Sequence, residues 1–135
     1  MHRDIKCENV CVNIFPFEVA LIDFNSANPL NDKTDGVEKG TPGFFPPKQL
    51  WFAGDKRWDY YAFGVMVFEV LSKVDISNYE SRAMQAKGFI IQKVNSKEYG
   101  RHAAKVLDML VVSCDEWTDG YLFEIEEALS KLDTP

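Results

Sequence analysis

From Trp58 to Leu71 the residues are apolar almost without interruption, with Asp59 and Glu69 the charged exceptions. The longest unbroken part, Gly64 to Leu71, itself carries Glu69 and falls far short of the roughly 20 residues that a membrane span requires. The run therefore predicts a central helix with protein on most of its sides. Whatever this chain folds into has to enclose that helix. Asp59, in the first turn, suits the positive end of the helix dipole and offers two oxygens as hydrogen-bond acceptors.

The chain is long enough to do so once. Its 135 residues make one domain or part of one, and hydrophobic residues at 46% with aromatics at 13% argue for a packed interior and against disorder. A formal charge of -6, with no dense run of Lys and Arg, speaks against a surface for nucleic-acid phosphates. The first residues include Arg3, Asp4, Lys6 and Glu8 and have no apolar core of a signal peptide, so an intracellular, cytoplasmic chain is expected. Three cysteines, an odd number, do not suggest a disulfide framework. Cys7 and Cys11 have only His2 nearby as a further soft ligand, which favours plain thiols over a zinc site.

Val10 to Ile14 and Glu18 to Ile22 are short β-branched stretches around Phe15-Pro16-Phe17 and predict a tight β-hairpin. Asn25 to Phe45 is rich in Asn, Asp, Gly and Pro without periodicity, as in an extended surface loop; loops of that length are usually functional. Lys48 to Trp51 would form one or two helical turns. After the central helix, Asn78 to Val94 is a weaker amphipathic helix, interrupted at Gly88, and Arg101 to Val112 a clearer one. A last helix is expected over Asp119 to Leu132, with Leu122, Ile125, Leu129 and Leu132 on one face and its acids crowded toward the start.

The chemistry is concentrated at the beginning. His2-Arg3-Asp4 is followed by Lys6 and, five residues after the Asp, by Asn9. Phosphoryl transfer needs a group to orient the attacking hydroxyl, oxygen ligands for Mg²⁺ and positive charge near the transferred group. The segment resembles the catalytic loop of the protein kinase family on all three counts. The resemblance implies that Asp4 steers the substrate proton, that Lys6 is the cation beside the γ-phosphate of ATP, and that Asn9 is a metal ligand.

Asp23-Phe24-Asn25, after the second predicted strand, resembles the family's Asp-Phe-Gly; Asp23 would be the second Mg²⁺ ligand, and Phe24 would pack beneath the site. Asn replaces Gly at position 25, where its tolerance of unusual φ would preserve the turn. Gly40-Thr41-Pro42-Gly43-Phe44-Phe45-Pro46-Pro47-Lys48 resembles the end of an activation segment, and Thr41 matches the threonine that packs on the catalytic Asp and Lys of serine/threonine kinases. Lys48 stands where the family has Glu, and Trp117 where it has the Arg that pairs with that Glu. Losing both partners of a buried pair can be nearly neutral if the space is repacked. Asp59 matches the acid that holds the backbone of the catalytic loop near His2 and Arg3. Thr34 is a conceivable phosphosite by position.

Taken singly, Asp4 and Asp23 would be solvated or capping acids, Lys6 a surface residue, Thr41 a turn residue, and Phe24 and Phe63 core residues. Their joint order over Met1 to Val65 carries the reading. The expected fold is mainly α: part of a protein kinase C-lobe, with a short β-hairpin and activation-like loop followed by four or five helices. One truncated kinase-like domain, 1–135, would divide into a catalytic loop and metal-site hairpin (1–24), an activation-like segment (25–50) and a helical subdomain (58–132).

The resemblance covers nearly the whole chain but none of the family's Gly-rich loop, strand lysine or hinge. Catalysis by positioning and electrostatics should suffer accordingly, which predicts an inactive isolated chain. Site residues are thus Asp4, Lys6 and Thr41 for catalysis, Lys6, Asn9 and Asp23 for the cofactor, and Asn9 and Asp23 for the metal, with ATP and Mg²⁺ implied by resemblance. Partners would be a protein substrate or a partner kinase, with self-association through an apolar patch on Tyr60 to Leu71. The competing readings are a stand-alone, pseudokinase-like regulator that docks on a kinase or substrate, and a structural helical domain with accidental motifs.

Overall fold

A computed structural model describes residues 1–28, 40–41, 43–46, 56–72, 105–108, 118 and 120–131. A single 3₁₀ turn, Cys7–Asn9, leads directly into strand β1, Val10–Asn13, which pairs antiparallel with β2, Glu18–Leu21. Val10 lies opposite Leu21, Cys11 opposite Ala20, Val12 opposite Val19 and Asn13 opposite Glu18. Each strand stops one residue short of the predicted limit at one end, because Ile14 joins Phe15, Pro16 and Phe17 in the turn and Ile22 closes the hairpin with a single hydrogen bond, Ile22 N–H to Asn9 C=O at 2.9 Å.

Helix α1 spans Arg57–Ser72 and is the predicted central helix. Trp58, Tyr61, Ala62, Val65 and Phe68, each 1% exposed, fall at i, i+3, i+4, i+7 and i+10 and make one sealed stripe. Phe45 meets Trp58 edge-on, with ring centroids 6.2 Å apart, and Met1 packs against this pair. Outside that stripe Tyr60, Phe63, Met66 and Val67 are half-buried, so part of the expected apolar surface on this helix stays accessible. Among the described side chains of α1, Val70 is the one large apolar residue left open.

The open apolar surface lies on the hairpin, at Val12, Ile14, Phe15, Phe17, Val19, Leu21 and Ile22. Among the described residues the two strands pair only with each other, and apart from the half-buried Val10 both strands are exposed. Phe24, expected in the core, is 61% exposed, with its ring edge-on to His2 at 4.8 Å.

Residues 105–108 are helical, with Val106 and Leu107 fully buried, and helix α2, Gly120–Ser130, buries Ile125 and Ala128. Lys105 reaches Glu124 at 3.3 Å; both are about half exposed, which limits this pair to roughly 1 kcal/mol or less. The described residues thus contain two α-helices and one helical turn beside the hairpin. The short helix at Lys48 to Trp51, the helix at Asn78 to Val94, Thr34, Lys48 and Trp117 lie outside the described residues. No helix among the described residues is long and apolar enough to cross a membrane.

Candidate functional site

The first turn of α1 anchors the segment around Asp4. Asp59 Oδ2 accepts the His2 N–H at 2.7 Å and its Oδ1 accepts the Arg3 N–H at 2.8 Å, so one carboxylate satisfies two adjacent main-chain donors. This is the scaffold role predicted for it. Arg3 is buried and holds a left-handed φ of 67°, which costs about 1–3 kcal/mol in a residue with a side chain. Its Nε donates to Ser26 C=O at 2.6 Å.

His2 is buried as well, and its two ring nitrogens do different work. Nδ1 accepts the Asp4 N–H at 3.1 Å, which leaves Nε2 as the donor to Ile22 C=O at 2.9 Å. Met1 and Asn28 exchange a reciprocal pair of main-chain hydrogen bonds, 2.6 and 2.9 Å long. Together these contacts tie the start of the chain to the hairpin's exit and to α1.

Asp4 follows directly and presents its carboxylate to three predicted site residues. Thr41 Oγ1 donates to Asp4 Oδ1 at 2.7 Å and itself accepts from Lys6 Nζ at 2.7 Å. Asn9 Nδ2 donates to Asp4 C=O at 2.8 Å and to its Oδ2 at 3.2 Å, and Lys6 Nζ lies 3.8 Å from the same oxygen. Asp4, Lys6, Asn9 and Thr41 are therefore brought together. The carboxylate is fixed in orientation, only 13% exposed, and retains acceptor capacity for one further proton donor.

Thr41 reaches Asp4 because the residue before it is glycine. Gly40 has φ 110°, and a Cβ there would sit 2.4 Å from Arg3 O. Main chain thus meets main chain at a separation that a side chain would prevent. From sequence Gly40 entered only as part of the Gly40 to Lys48 motif, although a Gly before a Thr-Pro turn is a recognisable signal for positive φ. The hydrogen bonds of the His2 ring and of the Ser26 and Asn28 carbonyls were not foreseen, because no residue-type pattern marks them.

Asp23 stands apart from this network. The Ile22–Asn9 hydrogen bond places it one residue beyond the cross-strand partner of Asn9, at the same open end of the hairpin. Asp23 is exposed and has φ 58°, and its Oδ1 accepts the Asn25 N–H at 3.2 Å. The left-handed residue of this turn is accordingly Asp23 and not Asn25, whose own φ is not positive. Asp is among the side chains most often found there, because it can hydrogen-bond locally.

No group of three or more His, Cys, Asp or Glu that could hold a metal occurs among the described residues. Asp23 and the amide oxygen of Asn9 are two oxygen donors. That set suits Mg²⁺, which takes one or two protein ligands and fills its sphere with phosphate oxygens and water, better than a cation held by protein alone.

Comparison with known proteins agrees with this geometry. The chain is 30% identical over 108 residues to the serine/threonine-protein kinase WNK8 of Arabidopsis thaliana, covering 80% of this chain and 18% of that protein. It is 27% identical over 134 residues to the human serine/threonine-protein kinase WNK4, covering 96% of this chain and 10% of that one. Chitin elicitor receptor kinase 1 of Physcomitrium patens is 36% identical over 80 residues, 58% of this chain and 12% of its own length. The chain spans about a quarter or less of the curated relatives it matches. No solved structure matches it. The family described as the protein kinase domain matches residues 1–118, which hold the entire network around Asp4 and Asp59, and on that footing the chain belongs to the protein kinase family and resembles part of a serine/threonine kinase domain.

Proposed function

We propose that Asp4, Lys6, Asn9, Asp23 and Thr41 form the phosphoryl-transfer centre of a serine/threonine kinase, with Asp4 orienting the acceptor hydroxyl of a protein substrate. The observation that carries this reading is Thr41 Oγ1 bridging Lys6 Nζ and Asp4 Oδ1, at 2.7 Å on each side. A carboxylate so held keeps one acceptor direction for a substrate O–H, and a cation fixed beside it offsets charge on a transferred phosphoryl group. Asn9 and Asp23 would hold Mg²⁺, whose contribution when bound with ATP is to neutralise charge on the phosphates. The finer divisions 1–24, 25–50 and 58–132, a total of four or five helices, and a cytoplasmic location belong to the same proposal.

The 135 residues contain no Gly-x-Gly-x-x-Gly segment to cover the phosphates. The chain by itself should therefore position ATP poorly and transfer little phosphate. A second reading, a regulator that docks on a kinase or its substrate, is favoured by the open apolar hairpin, with Phe15 91% and Phe17 75% exposed.

Titrating the purified chain with Mn²⁺ in place of Mg²⁺, with and without ATP, tests the metal assignment through paramagnetic broadening of main-chain resonances. Broadening centred on Asn9 and Asp23 that Asp23→Ala removes is the expected result, and broadening elsewhere would reject these ligands. ATP·Mg²⁺ binding tighter than about 100 μM, abolished by D23A, would overturn the proposed incompetence of the isolated chain.

A further inference from the structure

Among the described residues no third strand lies beside the hairpin, and its edge on β2 is arranged to pair with itself. The hydrogen bond from Ile22 N–H to Asn9 C=O fixes which residues of the ribbon point inward. In an antiparallel pair the hydrogen-bonded positions alternate, so Cys11 with Ala20 and Asn13 with Glu18 bond across the ribbon, while the N–H and C=O groups of Val19 and Leu21 point outward from β2. Among the described residues the sheet has these two strands alone, and all of β2 is exposed. On β1 the corresponding edge is partly used, because Val10 N–H donates to Cys7 C=O.

Side chains sort the same way. Val10, Val12, Val19 and Leu21 share one face of the ribbon, whereas Cys11, Asn13, Glu18 and Ala20 share the other. An apolar face with a polar reverse is the pattern of a sheet packed on one side, and a two-stranded ribbon is marginal without further strands. Within Val19-Ala20-Leu21 there is no charge and no Pro, the usual devices that keep an edge unpaired.

We propose that β2 pairs antiparallel with β2 of a second copy of this chain, about a two-fold axis at Ala20, to give a four-stranded sheet. In that register Val19 of each copy faces Leu21 of the other, and all four outward main-chain groups of each β2 gain partners. Ala20 faces Ala20, so nothing bulky meets at the axis. Glu18 faces Ile22, and the two Glu18 residues lie about 14 Å apart along the strands, beyond the screening length of about 8 Å at physiological salt. Charge thus offers little resistance to the pairing despite the net -6. The apolar faces of the two ribbons become continuous across the seam. A membrane is a poorer occupant, since the charged residues from Cys7 to Phe24 are Glu8, Glu18 and Asp23, all acidic.

Sedimentation of the full chain and cross-linking at the axis test this. The wild-type chain should sediment as a dimer at about 100 μM, and Val19→Pro should weaken it at least tenfold. That substitution removes an outward N–H and none of the hairpin's own bonds, so cross-strand contacts between Cys11 and Ala20 should persist in its NMR spectrum. Independently, Ala20→Cys in a chain with Cys7, Cys11 and Cys114 replaced by Ser should oxidise to a disulfide-linked dimer, since Cα atoms about 4.5 Å apart suit the bond. Glu18→Cys in the same background should not. A wild-type chain that stays monomeric, a dimer that V19P leaves intact while the hairpin persists, or equal cross-linking of A20C and E18C would each overturn the proposal. Should V19P fail to fold, the comparison of A20C with E18C decides alone.

Discussion

Asp59 holds Arg3 by its main chain, with Oδ1 accepting the Arg3 N–H at 2.8 Å while Oδ2 takes the His2 N–H at 2.7 Å. The charge-assisted bonds offset the strain of the left-handed Arg3 and fix the direction in which the chain enters Asp4. Asp59→Ala leaves two donors stranded beside buried His2 and Arg3, and should cost about 3 kcal/mol. Asp59→Asn keeps one acceptor and turns an NH₂ toward the other donor, so it should cost roughly half as much. Urea denaturation of the two variants checks the order, and equal stability of D59A and wild type would refute the anchoring role.

Gly40 brings the main chain before Thr41 against the main chain of Arg3. Gly40→Ala meets Arg3 O at 2.4 Å and forces φ 110° on a residue with a side chain. Because the obstacle is main chain held by Asp59, it cannot rotate aside. The backbone strain alone is about 1–3 kcal/mol. The expected result is a loss of stability in that range or above it, with Thr41 displaced from Asp4 and chemical shifts of Asp4 and Lys6 altered together. A variant with unchanged Tm and unchanged shifts at Asp4 would contradict the close approach.

What could be read from the sequence differs from residue to residue for physical reasons. Asp59 was legible through its match to the family's acid at the start of the central helix, and Asp4, Lys6, Asn9 and Thr41 through the resemblance that their joint order carries. The positive φ was expected at Asn25 and occurs at Asp23, because family position says where a turn lies but not which residue takes the strain. Exposure was legible for one element and not for another: the α1 stripe is sealed as expected, whereas the hairpin and Phe24 are open, since burial depends on what packs against an element and not on its own pattern.

Asp23 offers a separation of stability from the proposed metal binding. At φ 58° and exposed, it is a residue for which Gly removes strain without opening a cavity. Asp23→Gly should be equal to or up to about 1 kcal/mol more stable than Asp23→Ala, which keeps the strained φ and loses the local bond to Asn25 N–H. Both should lose Mn²⁺ broadening alike. Thermal unfolding that ranks D23A above D23G would argue against backbone strain at this turn.

The Lys6–Thr41–Asp4 chain should behave as one unit. Thr41→Val preserves shape and removes the hydroxyl, at about 1–2 kcal/mol, and leaves Lys6 Nζ with Asp4 at 3.8 Å as its remaining near neighbour here. In a double-mutant cycle with Lys6→Met, the coupling should lie in the range of about 0.5–3 kcal/mol found for residues in one network. Additive losses would mean that the two contacts are independent.

Cys7 reports on the packing of the 3₁₀ turn near α1. Cys7 is exposed, yet partial desolvation of its sulfur pushes the thiol above the ordinary value, and the carboxylates of Glu69 and then Glu8 push in the same direction, while a main-chain hydrogen bond opposes them. The neutral thiol is thus favoured in the folded chain. As pH rises through the ordinary thiol range the unfolded chain ionises first, so this group's contribution to stability is lost over that interval and up to its own raised value. Below that range the contribution is fully present and does not change with pH. With Cys11 and Cys114 replaced by Ser, alkylation of Cys7 by iodoacetamide at pH 8 should run slower than that of an unfolded peptide of the same sequence. Glu69→Gln removes one of the repelling charges, so the pH at half-maximal rate should fall and the rate at pH 8 should rise. A rate profile that E69Q leaves unmoved would show that the carboxylate of α1 does not act on the thiol.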